Sequence, residues 1–260
     1  MNPENGFGEL ARYYDALNLG ADYKKVADYI EGLFALCEKK PELVLDMACG
    51  TGNLALELSK RGYDMTGLDL SAEMLSAAAA KKNAGRVLWL HQNMASFELY
   101  GTVDAAVCCF DGLNYLSDQN DVKKCFALVR NYLNPGGLFA FDVNSKHKFE
   151  AVYANNSYVI EDAKKNVFCS WQNRYSKKTR SCDFYLTIFA KQPDGSYSRH
   201  EEAQSEKYHS AEFLGKSLLE AGFGDIRVFH DFDLSSGSAY GKKKEPGKQP
   251  GRICFAARRQ

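Results

Sequence analysis

Apolar residues recur at helical spacing early in the chain. Within 23–36, Val26, Ile30, Leu33 and Phe34 fall on one face, and Pro41 closes the run. A short apolar strand, Leu43-Val44-Leu45, follows; Gly50 and Gly52 break it, and 54–60 returns to helical spacing. The alternation then repeats. Strands are expected over 65–68, 87–90, 103–110 and 138–143. Between them, Ser71 reads as a helix N-cap, with Glu73 in the first turn and Lys81-Lys82 in the last. Val122, Phe126, Val129 and Leu133 make one face of a later helix, which Asn134-Pro-Gly-Gly137 ends. The run 103–110 is apolar on both faces, as a central parallel strand requires. Together these predict an α/β, Rossmann-like doubly wound sheet covered by helices on both faces.

After Asn144 the rhythm changes. β-rich runs at 167–175 and 184–190, with a turn at Pro193-Asp-Gly195, predict an antiparallel β insertion after strand five. A helix returns over 210–221, stopped by Gly222, and strands are expected at 226–230 and 253–257. The stretch 235–251, rich in Gly, Ser and Lys, reads as a loop. The chain thus divides into one domain, 1–143 with 208–260, and an inserted segment, 144–207. That segment is expected to be a lid, or the surface of a homodimer.

Composition narrows the function. Among 260 residues, 33 Lys and Arg balance 33 Asp and Glu, so bulk attraction to nucleic acid or anionic lipid is not expected. The eight cysteines form no C-x-x-C pair and several sit in apolar runs, which suits a reducing, cytoplasmic protein with no metal site. No apolar run approaches the roughly 18 residues of a membrane span, and 1–12 lacks a signal core.

The chemistry concentrates where the first strand meets its helix. Asp46-x-x-x-Gly50-x-Gly52 lets a backbone approach a ligand and offers helix N–H groups to an anion such as a carboxylate. Asp69, ending the next strand, can accept hydrogen bonds from both hydroxyls of a ribose. A side chain on Gly52 is expected to occupy ligand space. Gly50-x-Gly52-x-x-Ala55 followed by Asp69 also fits an NAD(P)-dependent oxidoreductase. Against that, Asp46 interrupts the approach to the first glycine, and the one Tyr-x-x-x-Lys pair, Tyr240 and Lys244, lies in the Gly/Lys-rich loop.

These motifs resemble those of the class I S-adenosylmethionine (SAM) dependent methyltransferases, in their bacterial small-molecule branch. Leu45-Asp46-Met-Ala-Cys-Gly-Thr-Gly-Asn53 is similar to the first motif of that family, and Gly67-Leu-Asp69-Leu-Ser-Ala-Glu-Met-Leu75 to the second-strand motif. His91-Gln-Asn93-Met94 resembles the adenine-contacting segment, and Asn134-Pro-Gly-Gly137 the approach to strand five. Tyr14-Asp15 and Asp22-Tyr23-Lys24 resemble a helical N-terminal lid. The resemblance implies a seven-stranded sheet whose last strand inserts antiparallel. It implies SAM as cofactor, held by Tyr14, Asp46, Ala48, Gly50, Gly52, Asp69, Leu70, Asn93, Met94 and Phe110. Many relatives carry Asp where Asn93 stands, and some carry Arg-Ala-Tyr where this chain has Glu206-Lys207-Tyr208; if that segment touches the acceptor, acceptor preference differs.

The expected reaction is in-line displacement onto nitrogen or oxygen of a small molecule, in which the protein mainly aligns a lone pair. Candidate catalytic groups are Tyr14, Asp111, Asn114 and His209. Asp111 or Asn114 could equally cap the following helix, and His209 could be a capping histidine. An RNA methyltransferase is a further alternative, although 111–114 reads Asp-Gly-Leu-Asn rather than the Asn/Asp-Pro-Pro-aromatic pattern of base-amine methylases. A non-catalytic SAM-binding protein is the last.

Overall fold

The computed structural model describes residues 7–18, 20–164, 166–242 and 249–260. Five strands, β1 (Leu43–Met47), β2 (Asp64–Asp69), β3 (Val87–His91), β4 (Val103–Cys108) and β5 (Leu133–Asn144), pair in parallel. Four more, β6 (Ser157–Asp162), β7 (Val167–Ser176), β8 (Ser181–Lys191) and β9 (Tyr197–Lys207), form a separate antiparallel sheet in sequence order. The chain then returns to the first sheet as β10 (Phe223–His230), β11 (Asp233–Ala239) and β12 (Arg252–Arg259), giving the order β11-β10-β12-β5-β4-β1-β2-β3. As the motifs implied, β12 inserts antiparallel between β5 and β10.

Among the described residues the large sheet has eight strands, not seven. The extra strand, β11, starts two residues before the stretch read as loop and runs into it. Asp233-Leu-Ser-Ser-Gly-Ser-Ala239 carries no apolar alternation, so its pairing with β10 at the sheet edge leaves no periodic signal.

Alternation explains the double cover. Val44, Ala105, Val107, Leu138, Ala140 and Cys254 pack under α2 (Tyr23–Phe34) and α3 (Asn53–Lys60). Their neighbours Leu45, Met47, Ala106, Cys108, Phe139, Phe141 and Phe255 pack on the opposite face, under α5 (Gln119–Tyr132) and α6 (Ala211–Glu220). A third core joins α1 (Leu10–Leu17), Phe149 and Tyr153 of a π-helical turn, and the inward residues Cys169, Cys182, Phe184 and Ile188 of the second sheet. α1 thus lies between the second sheet and α4 (Ala72–Ala79). Ser71 caps α4 by accepting from the Met74 N–H, as expected. The lysines expected in its last turn fall beyond it, and Lys81 instead reaches Asp15 of α1 at 2.6 Å.

Gly52 is the N-cap of α3 at φ +73°, a left-handed conformation that side chains disfavour. The sequence suggests that a side chain here would occupy ligand space; a Cβ at this position meets the protein's own side chains. It would strike the Trp89 ring at 2.3 Å and Ala78 at 3.0 Å. Gly52→Ala should therefore lower stability by about 2–5 kcal/mol, combining left-handed strain with overpacking. Denaturant unfolding measures this, and an unchanged midpoint would contradict the packing.

Candidate functional site

The loop 46–52 leaves β1 at the C-terminal edge of the large sheet, where doubly wound folds bind ligands. Gly50, at φ +54°, has nothing within 4 Å of where its Cβ would be, so its free side faces open space. Asp69 accepts from the Gly50 N–H through Oδ2 and from the Ser71 N–H through Oδ1, both at 2.8 Å. Each carboxylate oxygen keeps a lone pair for a further donor. Next to it, Leu70 is 65% exposed, an apolar side chain set out in solvent. Asp46 is buried, and its Oδ2 has no hydrogen-bond partner. Burial, together with the negative charge of Asp69, pushes its carboxyl up to about 8 against the Ala55 N–H that favours ionisation. A buried acceptor short of a donor and of positive charge fits the amino group of SAM.

Beyond β3, Asn93 is exposed and its Oδ1 accepts from the Ala95 N–H at 2.8 Å, which leaves its amide N–H groups for a ligand. Met94 is half-buried against the α5-side core, and so is Ala48, at φ +51°. Over the loop lies α1. Asp15 accepts from Thr51 Oγ1 at 2.7 Å and from Asn53 Nδ2 at 2.8 Å, and it pairs with Lys81. These partners hold its carboxyl below the ordinary value despite burial. Tyr23 of α2 packs against Phe110, with the rings tilted by 60° and their centroids 5.0 Å apart. Burial raises its phenol, with Asp15 and Asp46 as negative neighbours.

A second constellation forms where β4 and β5 end. Phe110 and Asp111 are consecutive left-handed residues at φ 61° and 63°, costing roughly 1–2 kcal/mol each. Both backbone N–H groups donate to the Asp142 carboxylate, at 2.6 and 3.2 Å. The register of β5 with β12 sets Arg252 opposite Asn144 and Cys254 opposite Asp142, so these residues share one face. Arg252 reaches Asp111 and Asp142, each at 2.5 Å. The Asp111 side chain, 14% exposed, does not cap the following turn.

β9 closes this region from the second sheet. Strand alternation points His200, Glu202, Gln204 and Glu206 inward. Glu202 accepts from the Phe7 N–H, and Gln204 accepts from the Tyr115 hydroxyl at 3.1 Å. Glu206 Oε2 accepts from Asn144 Nδ2 at 2.6 Å, and the Glu206 carboxyl also shares a hydrogen bond with Asp111. Burial and the adjacent Asp111 charge push Glu206 well above the usual carboxylate range. Burial also opposes ionisation of Asp111, but Arg252, Lys148 and the Glu206 hydrogen bond outweigh it and hold Asp111 low. Glu206 therefore carries the proton and donates it to Asp111. Lys148 donates to Asn144 Oδ1 at 2.8 Å; burial, then Arg252, lowers its own value. Tyr14 is buried by α1 against this group, with Tyr23, Asp111 and Arg252 as electrostatic neighbours, and burial raises its phenol.

Of the catalytic candidates, the fold brings Tyr14 and Asp111 together. Asn114 is fully buried and bridges elements: its Nδ2 donates to the Lys207 carbonyl at 2.8 Å and its Oδ1 accepts from the Asn144 N–H at 2.9 Å. It is a clamp, neither a helix cap nor an open contact. His209 is buried with Nε2 on the Leu116 carbonyl at 2.9 Å, and burial lowers its value; Ser210, not His209, caps α6. Tyr240 of the oxidoreductase pair bonds the Glu212 carbonyl, and Lys244 lies outside the described residues. Sequence reading missed Asp142, Lys148 and Arg252, which no local motif marks. Glu206 did leave a signal, as a departure from the related Arg-Ala-Tyr pattern.

A model of the methyltransferase domain matches residues 44–137. The chain is 32% identical over 252 residues to the Bacillus subtilis (strain 168) protein named "Putative methyltransferase YqeM", covering 96% of each. It is 27% identical over 218 residues, 83% of this chain and 84% of the relative, to a Streptomyces fradiae dTDP-3-amino-3,6-dideoxy-alpha-D-glucopyranose N,N-dimethyltransferase. It superposes on a crystal structure of a SAM-dependent methyltransferase from Clostridium acetobutylicum ATCC 824 with a TM-score of 0.80 and 30% identity, covering 96% of this chain and 98% of that one. With its glycine loop, its terminal acid on β2 and its last strand inserted antiparallel between β5 and β10, the chain belongs to the class I SAM-dependent methyltransferases.

Proposed function

We propose that this enzyme methylates a nitrogen or oxygen of a small molecule held between α1, the Phe110–Tyr115 turn and the inward face of β9. The observation that carries the reading is the buried group Asp111, Asp142, Arg252 and Glu206 beside Tyr14. Burying so many charges is costly and unnecessary for an α/β core, so a ligand-directed purpose is the economical account. The Streptomyces fradiae relative, named for an amino sugar, fits a compact polar acceptor.

SAM, when bound, supplies a sulfonium-activated methyl group. Gly50 leaves room for its methionyl end, while Gly52 shapes the turn against Trp89. Asp46 receives the amino group, Asp69 the ribose hydroxyls, and Leu70, Asn93 and Met94 the adenine. Ala48 and Phe110 wall the pocket, and Tyr14 covers it from α1. The second sheet, within 144–207, is read as a lid over the acceptor rather than as a dimer surface, since β9 turns polar groups towards the site. Among the described residues no helix is long and apolar enough to cross a membrane. The free cysteines fit the cytoplasm.

A screen for S-adenosylhomocysteine release across metabolite pools tests the reading. Turnover on a small-molecule fraction is expected; turnover on RNA alone, or NAD(P) binding in place of SAM, overturns it. Asp69→Ala should weaken SAM binding more than about tenfold, because two hydroxyls lose a charged acceptor. Calorimetry on the folded variant checks this. Asp46 supplies a pH dependence. Its carboxyl, raised to about 8, holds a proton below that pH, and the amino group of SAM must displace it. SAM affinity should therefore rise from about pH 6 towards 8, by at most about tenfold per unit. Asp46→Asn, which keeps an acceptor for the Ala55 N–H, should flatten that profile.

A further inference from the structure

We propose that the acceptor's reacting end is an amine that enters as an ammonium ion, received by the Asp111–Glu206 carboxyl pair, and that Gln204 selects for an oxygen on the same molecule. The inference rests on the acceptor-site reading above and names its substrate class.

Charge balance carries the first part. The groups packed together are Asp111 after β4, Asp142 on β5, Glu206 on β9, Arg252 on β12 and Lys148 on the π-helical turn; the phenols of Tyr14, Tyr115 and Tyr153 face the same group. Three carboxyls meet two cations. Asp111 and Asp142 share Arg252 at 2.5 Å each, and Lys148 bonds the neutral Asn144 at 2.8 Å. The third carboxyl, Glu206, makes no ion pair among the described residues; the Lys148 charge acts on it without outweighing burial, and it keeps a proton shared with Asp111. That proton stands in for a third positive charge. An ammonium ion can take its place: as the ion binds, Glu206 releases its proton to solvent and both carboxylates face the ligand. A neutral alcohol brings no charge to replace the proton, and an anionic acceptor opposes its release.

Gln204 carries the second part. It is two residues before Glu206 on the same face of β9, roughly 7 Å away along the strand. Its Oε1 is occupied by the Tyr115 hydroxyl, while its Nε2 is buried with no hydrogen-bond partner. Gln204 as a whole is 6% exposed. A buried donor left unpaired is expensive, and an oxygen of the ligand satisfies it.

The test compares the aminocyclohexanol isomers with the matching cyclohexanediols by calorimetry. The protein is the full chain saturated with S-adenosylhomocysteine, in buffers of differing ionisation enthalpy near pH 7. At least one aminocyclohexanol should bind roughly tenfold or more tighter than its diol, as a charge-assisted hydrogen bond predicts, with release of close to one proton. Affinity should rise with pH while the amine stays charged, because the proton on Glu206 competes with it. Glu206→Gln keeps a neutral donor to Asp111 and an acceptor for Asn144, so the fold survives; it should abolish both the preference and the proton release. Gln204→Leu should shrink the advantage of aminocyclohexanols over cyclohexylamine. Diols binding as well as amines, neither series binding, or no proton release overturns the proposal. So does an intact preference in Glu206→Gln. Any of these with retained S-adenosylhomocysteine affinity and turnover on a small-molecule pool removes the amine assignment alone; absent turnover on small molecules removes the broader reading.

Discussion

The Asp142 carboxylate is the point on which the site's geometry depends. It is fully buried, and it gathers the Phe110 and Asp111 N–H groups and the Arg252 guanidinium. Removing a carboxylate from water costs several kcal/mol unless its partners are nearly complete, and here they are. The same bonds hold two consecutive non-glycine residues in the left-handed region, a strain that persists only where surroundings over-determine it. That turn aims Asp111 at β9 and Phe110 at Tyr23. β4, β5 and β12 are thereby tied at one end, and the orientation of the candidate acceptor groups follows from one charge that never meets solvent.

The cofactor end and the acceptor end are joined by α1. Asp15 fastens it to Thr51, Asn53 and Lys81 around the glycine loop. One residue earlier, Tyr14 turns inward towards Asp111 and Arg252. On the other side, Tyr13 lies 3.4 Å from His200 of β9. A single two-turn helix therefore touches the glycine loop, the strained turn and the second sheet.

The fold was legible where burial imposes a period. β4 and β5 alternate between two apolar faces, and Ser71 and Gly222 punctuate helices by local geometry that any sequence must respect. β11 was not legible, because an edge strand held by backbone pairing needs no side-chain pattern. The cofactor loop was visible because its residues are contiguous. Yet the direction of the missing Cβ at Gly52 depends on Trp89, 37 residues away, and only the packed structure reveals it. Arg252 and Asp142 meet across 110 residues by strand register, Lys148 joins from a turn, and Asn114 spans two sheets. A long-range charge cluster leaves no spacing rule in the sequence; the one hint, Glu206, came from a departure at a single position.

β9 carries its recognition chemistry on alternate residues. Glu202, Gln204 and Glu206 face in, while Ala203, Ser205 and Lys207 sit at the intervening positions. Because side chains on a strand have a period of two, a one-residue insertion or deletion ahead of this segment would exchange the sets wholesale. The acidic row would turn to solvent, and Ser205 after an insertion, or Lys207 after a deletion, would stand where Glu206 now meets Asp111. A single codon's change in length would thus change the polarity of this face. Specificity in such a scaffold can diverge by register, in one step, rather than by accumulated point substitution.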